Sequence, residues 1–216
     1  MKWFQAVLAL GGTLRAEGCA DWAGAAAKAP FDAIGDTLRG TKGIMMDMYR
    51  HKDELLDACE QFVPLMINMG VNDVNATGVP LVFMPLHKGA DGFMSNEQFK
   101  TFYWPTLKKV MLGLADEGCI PVMFAEGGYN QRLEIIADFP KGKCIWWFDQ
   151  TDMRRAKEVL GDVACIAGNV STALMAAGTP DEVRAYVKDL IETVGKDGGF
   201  ILTNGCGIDH AKAENV

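Results

Sequence analysis

The chain has 216 residues, of which 49% are apolar and 23% are charged. These proportions are typical of a globular protein, and they exclude a disordered chain, a collagen-like repeat and a disulfide-stapled miniature. Lys and Arg number 21 against 28 Asp and Glu, so the net charge is -7. Because the balance is acidic and no basic block occurs, nucleic acid and anionic membranes are excluded as the main partner.

The cysteines and the N-terminus bear on where the protein works. Six cysteines occur without a Cys-x-x-Cys pair, which is typical of reduced thiols in a cytoplasmic protein. The apolar start, residues 1–12, is interrupted by Gln5 and no clear cleavage site follows, so we expect a helix rather than a signal peptide. No run of about 20 apolar residues occurs, and we expect no membrane span.

The rest of the chain alternates between strand-like and helical segments. Residues 11–43 are rich in Ala and Gly with weak periodicity, and we interpret them as a long loop that hides at most one strand, within 21–31. Short apolar runs with room for a helix between them are typical of parallel strands buried on both faces. The predicted strands are 79–85, 120–125, 143–148, 163–167 and 199–203.

Helices are marked by their apolar spacing and their caps. An apolar stripe predicts a helix within 51–68. Ser95 and Gln98 have the spacing of a capping box that opens a helix over 96–118. Thr179, followed by Pro and then by Glu at the third position, predicts the start of another helix. This alternating α/β pattern fits either an open doubly wound sheet or a (β/α)8 barrel, and it leaves no linker between two domains.

Polar residues follow the predicted strands at the edge where chemistry collects in both architectures. His87 follows the strand at 79–85, Glu126 follows the next strand, and Cys206 lies between two glycines after the last. An imidazole, a carboxylate and a thiolate on one rim are donors that suit an open zinc site. Two of them also have a structural interpretation, Cys206 as a core thiol and Glu126 as an anchor for its own loop.

Four further residues at this rim are candidates for substrate contacts, together with His87. Tyr129, Asp149 and Asn169 come after or at the end of three successive strands, and Asn204 follows the last one. Asp149 has the alternative role of capping the next helix. The sequence contains neither a phosphate loop nor a nucleophile elbow, so it predicts neither nucleotide hydrolysis nor a serine hydrolase.

Four stretches of the sequence resemble a known superfamily. They are residues 38–58, 87–110, 161–191 and 198–216. These stretches are similar to the uroporphyrinogen decarboxylase superfamily, which includes the decarboxylase of haem biosynthesis and the cobalamin-dependent methyltransferases. The resemblance implies a (β/α)8 TIM-barrel fold, which chooses between the two architectures that the pattern leaves open.

The resemblance is closer to the methyltransferase branch. In that branch a zinc-binding Cys follows the eighth strand, and Cys206 resembles it in position. The branch also has a His-x-Cys pair, and in this chain Glu126 stands in its place. It implies that Cys206 and Glu126 are catalytic, that they bind zinc with His87, and that a methyl group moves between a small methylated compound or thiol and a corrinoid on a partner protein.

Two alternatives remain beside methyl transfer. The first is uroporphyrinogen decarboxylase activity in porphyrin biosynthesis, although that branch carries a His at the position of Cys206 and an N-terminal Arg-rich segment without a counterpart here. The second is a non-catalytic fragment or subunit that acts by association.

The resemblance also changes the meaning of the chain length. A (β/α)8 barrel usually takes about 250 residues, and the five predicted strands correspond to the family's fourth to eighth. We therefore expect one barrel domain over 1–216 that holds the C-terminal five or six βα units and lacks the first two. Because an unclosed barrel exposes strand edges, we expect an oligomer or a missing N-terminal segment to close it.

Overall fold

The computed structural model describes residues 2–19 and 23–216, and all strands of its sheet run parallel. The strands are Ala25–Ala26 (β1), Leu81–Leu86 (β2), Ile120–Ala125 (β3), Ile145–Phe148 (β4), Cys165–Val170 (β5) and Phe200–Asn204 (β6). Their order in the sheet equals their order in the chain. That order is the one of a (β/α)8 barrel and differs from the reversing order of a doubly wound sheet. Within the described residues β1 does not pair with β6, so the barrel is not closed.

Helices connect the strands. Their bounds are Lys2–Ala16 (α1), Pro30–Ile34 (α2), Gly40–Arg50 (α3), Lys52–Thr77 (α4), Asn96–Gln98 (α5), Trp104–Asp116 (α6), Leu133–Ile136 (α7), Met153–Leu160 (α8), Thr172–Ala177 (α9) and Pro180–Thr193 (α10). Two π-helical turns, Gly35–Arg39 and Phe99–Tyr103, continue α2 and α5, and a short 3-10 helix covers Ala213–Asn215. In the described part of the chain, no helix combines the length and the apolar character that a membrane crossing requires.

The two faces of the sheet differ in their packing. On β2, Val82 is fully buried and lies against Gly70 of α4, so this face meets the helices. Phe83, the next residue, points to the inner face, where its ring lies 5.8 Å from that of Phe124. Phe124 in turn lies 4.4 Å from the ring of Trp147. Aromatic side chains from β2, β3 and β4 therefore fill the inner face of the sheet.

The prediction of a long loop over 11–43 is wrong. This segment contains the end of α1, the whole of α2, a π-helical turn and the start of α3. Pro30 occupies the first turn of α2, and all five residues of that helix are buried. Tertiary packing rather than apolar periodicity therefore holds the segment in a helix. The expected hidden strand is present as β1, although residues 21 and 22 lie outside the described residues.

Most other predicted elements are confirmed. The five predicted strands lie within three residues of the observed bounds. The capping boxes at Ser95 and Thr179 are both formed, and α10 follows the second. The helix predicted within 51–68 extends to Thr77, and the one predicted over 96–118 consists of α5, a π-helical turn and α6. The helix expected at the N-terminus is α1.

Candidate active site

The carboxylate of Asp36 contacts three basic side chains at the ends of β1 and β2. Lys28 Nζ and His87 Nδ1 each lie 2.7 Å from Asp36 Oδ2, and Lys88 Nζ donates to Oδ1. Partial burial alone would raise the pKa of Asp36, but hydrogen bonds from Lys28, Lys88 and His87 outweigh it and hold the pKa well below its usual range. Asp36 is therefore an ionised acceptor at neutral pH.

The contact with Asp36 defines the chemistry of the His87 ring. Because an ionised carboxylate only accepts hydrogen bonds, Nδ1 of the neutral ring carries the proton and Nε2 keeps its lone pair. Nε2 lies 4.0 Å from Glu126 Oε1, and the side chains of His87 and Glu126 are 34% and 40% exposed. The expected proximity of these two residues is thus observed, and the partly exposed His87 ring has Nε2 as its proton acceptor.

A second carboxylate, Asp32, holds the backbone beneath this group. Asp32 is fully buried, and its Oδ2 accepts hydrogen bonds from the His87 amide at 2.9 Å and from the Tyr103 hydroxyl at 2.5 Å. Its Oδ1 accepts from the Lys88 amide at 3.0 Å. Burial raises the pKa of Asp32 to about 6, although its hydrogen bonds with Tyr103 and the His87 amide and the charge of Lys88 act in the opposite direction.

The loop after His87 and Lys88 is held by a buried guanidinium. Arg132 is fully buried and donates to the carbonyl oxygens of Gly89 and Met94 and to the side chain of Asn96. Its guanidinium carbon lies 4.8 Å from the centre of the Phe99 ring. Arg132 therefore fixes the turn that leads from β2 to the capping box of α5.

A separate polar region lies at the ends of β4 and β5. Asn169 Nδ2 donates to the carbonyl oxygens of Asp149 at 3.1 Å and Thr151 at 2.7 Å, and Asn169 Oδ1 accepts from the Tyr186 hydroxyl at 3.0 Å. These residues line a cavity of about 500 Å³. The remaining lining residues are Asn130, Gln150, Asp152, Ser171, Thr172 and Ala173. Asp149 and Asn169, two of the predicted substrate contacts, thus lie at one cavity.

The end of β6 approaches the end of β4. Trp147 Nε1 donates to the Asn204 carbonyl at 2.7 Å, and Asn204 Nδ2 donates to the Cys206 carbonyl. A Cβ atom at Gly205 would lie 3.0 Å from the Asp149 carbonyl oxygen, so a side chain there would separate the two strand ends. Cys206 itself is half-buried, and the side chain of Asn204 bonds to the backbone of its own turn.

Tyr129 has a different environment from the one expected of a substrate contact. Its ring is fully buried, its hydroxyl donates to the Leu86 carbonyl at 3.4 Å, and its amide donates to Thr151 Oγ1 at 3.0 Å. Burial raises the pKa of Tyr129 well above its usual value. In this arrangement the residue supports the loop between β3 and α7 from inside and is not accessible to a substrate.

The donors of the expected zinc site do not fit a metal ion in this arrangement. Across residues 2–19 and 23–216, no group of three or more His, Cys, Asp or Glu side chains is placed to hold one. Glu126 and Cys206 follow β3 and β6, which are not neighbours in the sheet. His87 and Glu126 therefore form a pair without the thiol of Cys206.

Sequence reasoning missed the residues that organise the β2 end. Asp32, Asp36, Lys88 and Arg132 were not among the candidates, because the first two lie in the segment interpreted as a loop and the others were given no role. One local signal was available. Pro30 marks a helix start, and it places Asp32 and Asp36 one turn apart on the same face.

Comparisons with known proteins identify the family. Residues 21–216 match the family model described as uroporphyrinogen decarboxylase (URO-D). The chain belongs to the uroporphyrinogen decarboxylase family. Its relatives include the uroporphyrinogen decarboxylases of Psychromonas ingrahamii, 34% identical over 122 residues, and of Cellvibrio japonicus, 27% identical over 121 residues. Each match covers 54% of this chain and 33% of the relative, so the chain spans about a third of the length of these relatives.

The fold is shared with a solved structure. A methyltransferase from Methanosarcina mazei superposes with a TM-score of 0.71 over 88% of this chain and 54% of the other, at 22% sequence identity. The similarity shows that the two proteins have the same fold. The prediction of a URO-D-type TIM barrel, present here in part, is therefore confirmed.

Proposed function

We propose that this member of the URO-D family is a methyltransferase, which moves a methyl group between a small methylated compound or thiol and a corrinoid held by a partner protein. The observation that carries the proposal is the Asp36–His87 pair, whose exposed Nε2 can exchange a proton with a small substrate. Enzymes that move methyl groups to or from thiols or hydroxyls need such a group, because the acceptor must lose a proton or the leaving group must gain one.

The charges at the strand ends support a small substrate rather than a polycarboxylate. Lys28 and Lys88 are both paired with Asp36, and Glu126 and Asp149 add negative charge. Among the described residues, no arginine directly follows a strand. A substrate with several carboxylates would be repelled by Glu126 and Asp149 without a guanidinium to bind it.

The proposed proton transfer uses residues of this chain alone. A thiol that binds beside His87 gives its proton to Nε2, and its sulfur then forms a bond to the methyl carbon as the bond between that carbon and its carrier breaks. Asp36 stabilises the imidazolium that forms, because its carboxylate faces Nδ1 at 2.7 Å. The proton leaves Nε2 for water or for Glu126 before the next turnover. The corrinoid supplies the methyl-carrying metal chemistry when its partner protein is bound.

Decarboxylation is the second candidate, and the names of the sequence relatives favour it. All four matching relatives are described as uroporphyrinogen decarboxylases. The same His87 would then act as an acid and protonate the carbon from which carbon dioxide has left. A non-catalytic subunit is the third candidate, and it would bind neither kind of substrate.

Two assays on the purified chain separate these candidates. One measures methylation of a small thiol by methylcobalamin, and the other measures carbon dioxide release from uroporphyrinogen. The proposal predicts thiol methylation that His87→Gln abolishes and that His51→Gln, a change at an exposed histidine on the surface, leaves intact. Carbon dioxide release without methyl transfer would replace the proposal by the second candidate, and inactivity in both assays would favour the third.

Metal analysis tests the zinc prediction independently. The donor arrangement of His87, Glu126 and Cys206 predicts a zinc content well below one per chain in the freshly purified protein. A content near one per chain that is lost in Cys206→Ser would show that the three donors rearrange around a metal.

A further inference from the structure

Two carboxylates one helical turn apart divide their partners between backbone and side chains. Asp32 and Asp36 lie on α2 and the π-helical turn that follows, and both face the end of β2. Asp32 accepts the amides of His87 and Lys88, whereas Asp36 accepts the side chains of the same two residues. This helical segment therefore binds both the backbone and the side chains of the His87–Lys88 dipeptide.

The path of Lys88 links the two contacts. Its side chain is 7% exposed, and a Cβ atom at Gly35 would meet its Cε at 3.0 Å and its Cδ at 3.1 Å. The stem of Lys88 therefore runs across Gly35 to reach Asp36. This route is open only if the backbone of the dipeptide is held close to the helix, which is what Asp32 does.

The Asp32 contact is also strong for physical reasons. Both carboxylate oxygens are used, the site is fully buried, and two of the three donors are consecutive backbone amides. An amide that loses its acceptor inside the protein is unfavourable, so the dipeptide would move to find other partners. A shift of about 1 Å would be enough to separate His87 Nδ1 from Asp36.

We propose that Asp32 is a positioning residue, which holds the His87 backbone so that Nδ1 bonds to Asp36 and Nε2 is left as the proton acceptor. The inference deepens the proposed function, because it names the residue that prepares His87 for proton transfer. Asp32 touches neither substrate nor reacting atoms, and it acts only through His87.

The test is the tautomer of His87, observed by nitrogen NMR with labelled histidine. The chain has three histidines, so the His87 signals are assigned by their loss in His87→Gln. For the neutral ring, the wild-type signals should be those of a single tautomer protonated at Nδ1. In Asp32→Ala they should shift to a mixture in which the proton lies mainly on Nε2. In the thiol methylation assay, kcat should fall roughly 10–100-fold with KM nearly unchanged.

Tyr103→Phe is the matched control. The Tyr103 hydroxyl donates to the same buried oxygen of Asp32, but its removal leaves both backbone contacts in place. It should lower stability and leave the His87 tautomer unchanged. An Asp32→Ala protein that is folded and keeps the wild-type His87 signals would overturn the proposal. So would an equal loss of the tautomer in Tyr103→Phe, because the effect would then be general destabilisation.

Asp32→Asn keeps the test decisive if the alanine variant does not fold. Its single side-chain oxygen cannot accept both amides in the arrangement of Asp32, so a mixed tautomer is expected, and an unchanged one overturns the proposal. The NMR readout needs no turnover. If His87→Gln leaves methyl transfer intact while Asp32 variants change the tautomer, the proposed function fails and the positioning role stands.

Discussion

The ends of β2 and β5 satisfy their polar groups in opposite ways. At β2, His87 and Lys88 are held by two carboxylates that lie 51 to 56 residues earlier in the chain. At β5, Asn169 bonds to the carbonyl groups of Asp149 and Thr151 on the preceding unit, only 18 to 20 residues away. The first arrangement concentrates charge around a partly exposed imidazole, and the second joins strand ends beside a cavity through the amide of Asn169. We therefore assign proton transfer to the β2 end and shape to the β5 end.

The largest expected effect separates the two ends by activity. Loss of the base in His87→Gln should lower kcat for methyl transfer roughly 100- to 10,000-fold, the usual range for a general base, with little change in stability. Steady-state kinetics and thermal unfolding on the same sample check both parts. Tyr186→Phe at the β5 end is the counterpart, and it should leave kcat within about threefold, because it removes a single hydrogen bond worth about 1 kcal/mol. Equal losses in the two variants would contradict the division.

The next largest effect is expected for the loop that Arg132 holds. Arg132→Met removes a buried guanidinium and leaves the carbonyl oxygens of Gly89 and Met94 without their donor. Unfolding in urea should show a loss of roughly 3 kcal/mol. Arg184→Met, which breaks only an exposed pair with Asp181, should cost less than about 1 kcal/mol. A loss of the same small size for Arg132 would mean that the loop stands without it.

Asp32 should leave a signature in the pH dependence of stability. Its pKa is raised from 3.8 to about 6 in the folded protein, so the folded state binds the proton more tightly than the unfolded state. The resulting stabilisation is complete below about pH 4 and is lost as the pH rises through 6. The free energy of unfolding of the wild type relative to Asp32→Asn should therefore fall by roughly 2 kcal/mol between about pH 4.5 and 7. A flat difference would show that the carboxyl has an ordinary pKa.

The smallest expected effect concerns the β5 scaffold itself. Asn169→Ala removes the donor to two carbonyl groups and should cost about 1–3 kcal/mol, whereas Tyr186→Phe should cost about 1 kcal/mol. Chemical denaturation of the two variants checks the ranking. The reverse ranking would show that water replaces the amide of Asn169 in the cavity.

The difference between contacts that are local in the chain and contacts that are distant in it explains what the sequence could predict. Strands such as β3 and caps such as Ser95 are encoded by short local patterns, and they were found within three residues. His87 and Glu126 were placed at one edge because parallel strands bring their carboxyl ends together. Their partners Asp32 and Asp36 were missed, since contacts across more than 50 residues leave no local pattern. The expected zinc set of His87, Glu126 and Cys206 stays a prediction; it is not assembled among the described residues, because a shared rim does not determine which side chains on it meet.

The π-helical turn at Gly35–Arg39 has a consequence for insertions and deletions. A π-helix holds one more residue in its turn than an α-helix does, and each residue of a helix advances its face by about 100°. Removing one residue from this turn would restore a regular helix. It would also rotate α2 relative to α3, and with α2 the carboxylate of Asp32 that faces the β2 end. In this segment the number of residues should therefore be strictly constrained, the reverse of what holds for a surface loop. A library of single-residue deletions across 30–50 would show this constraint as a narrow zone of lost function.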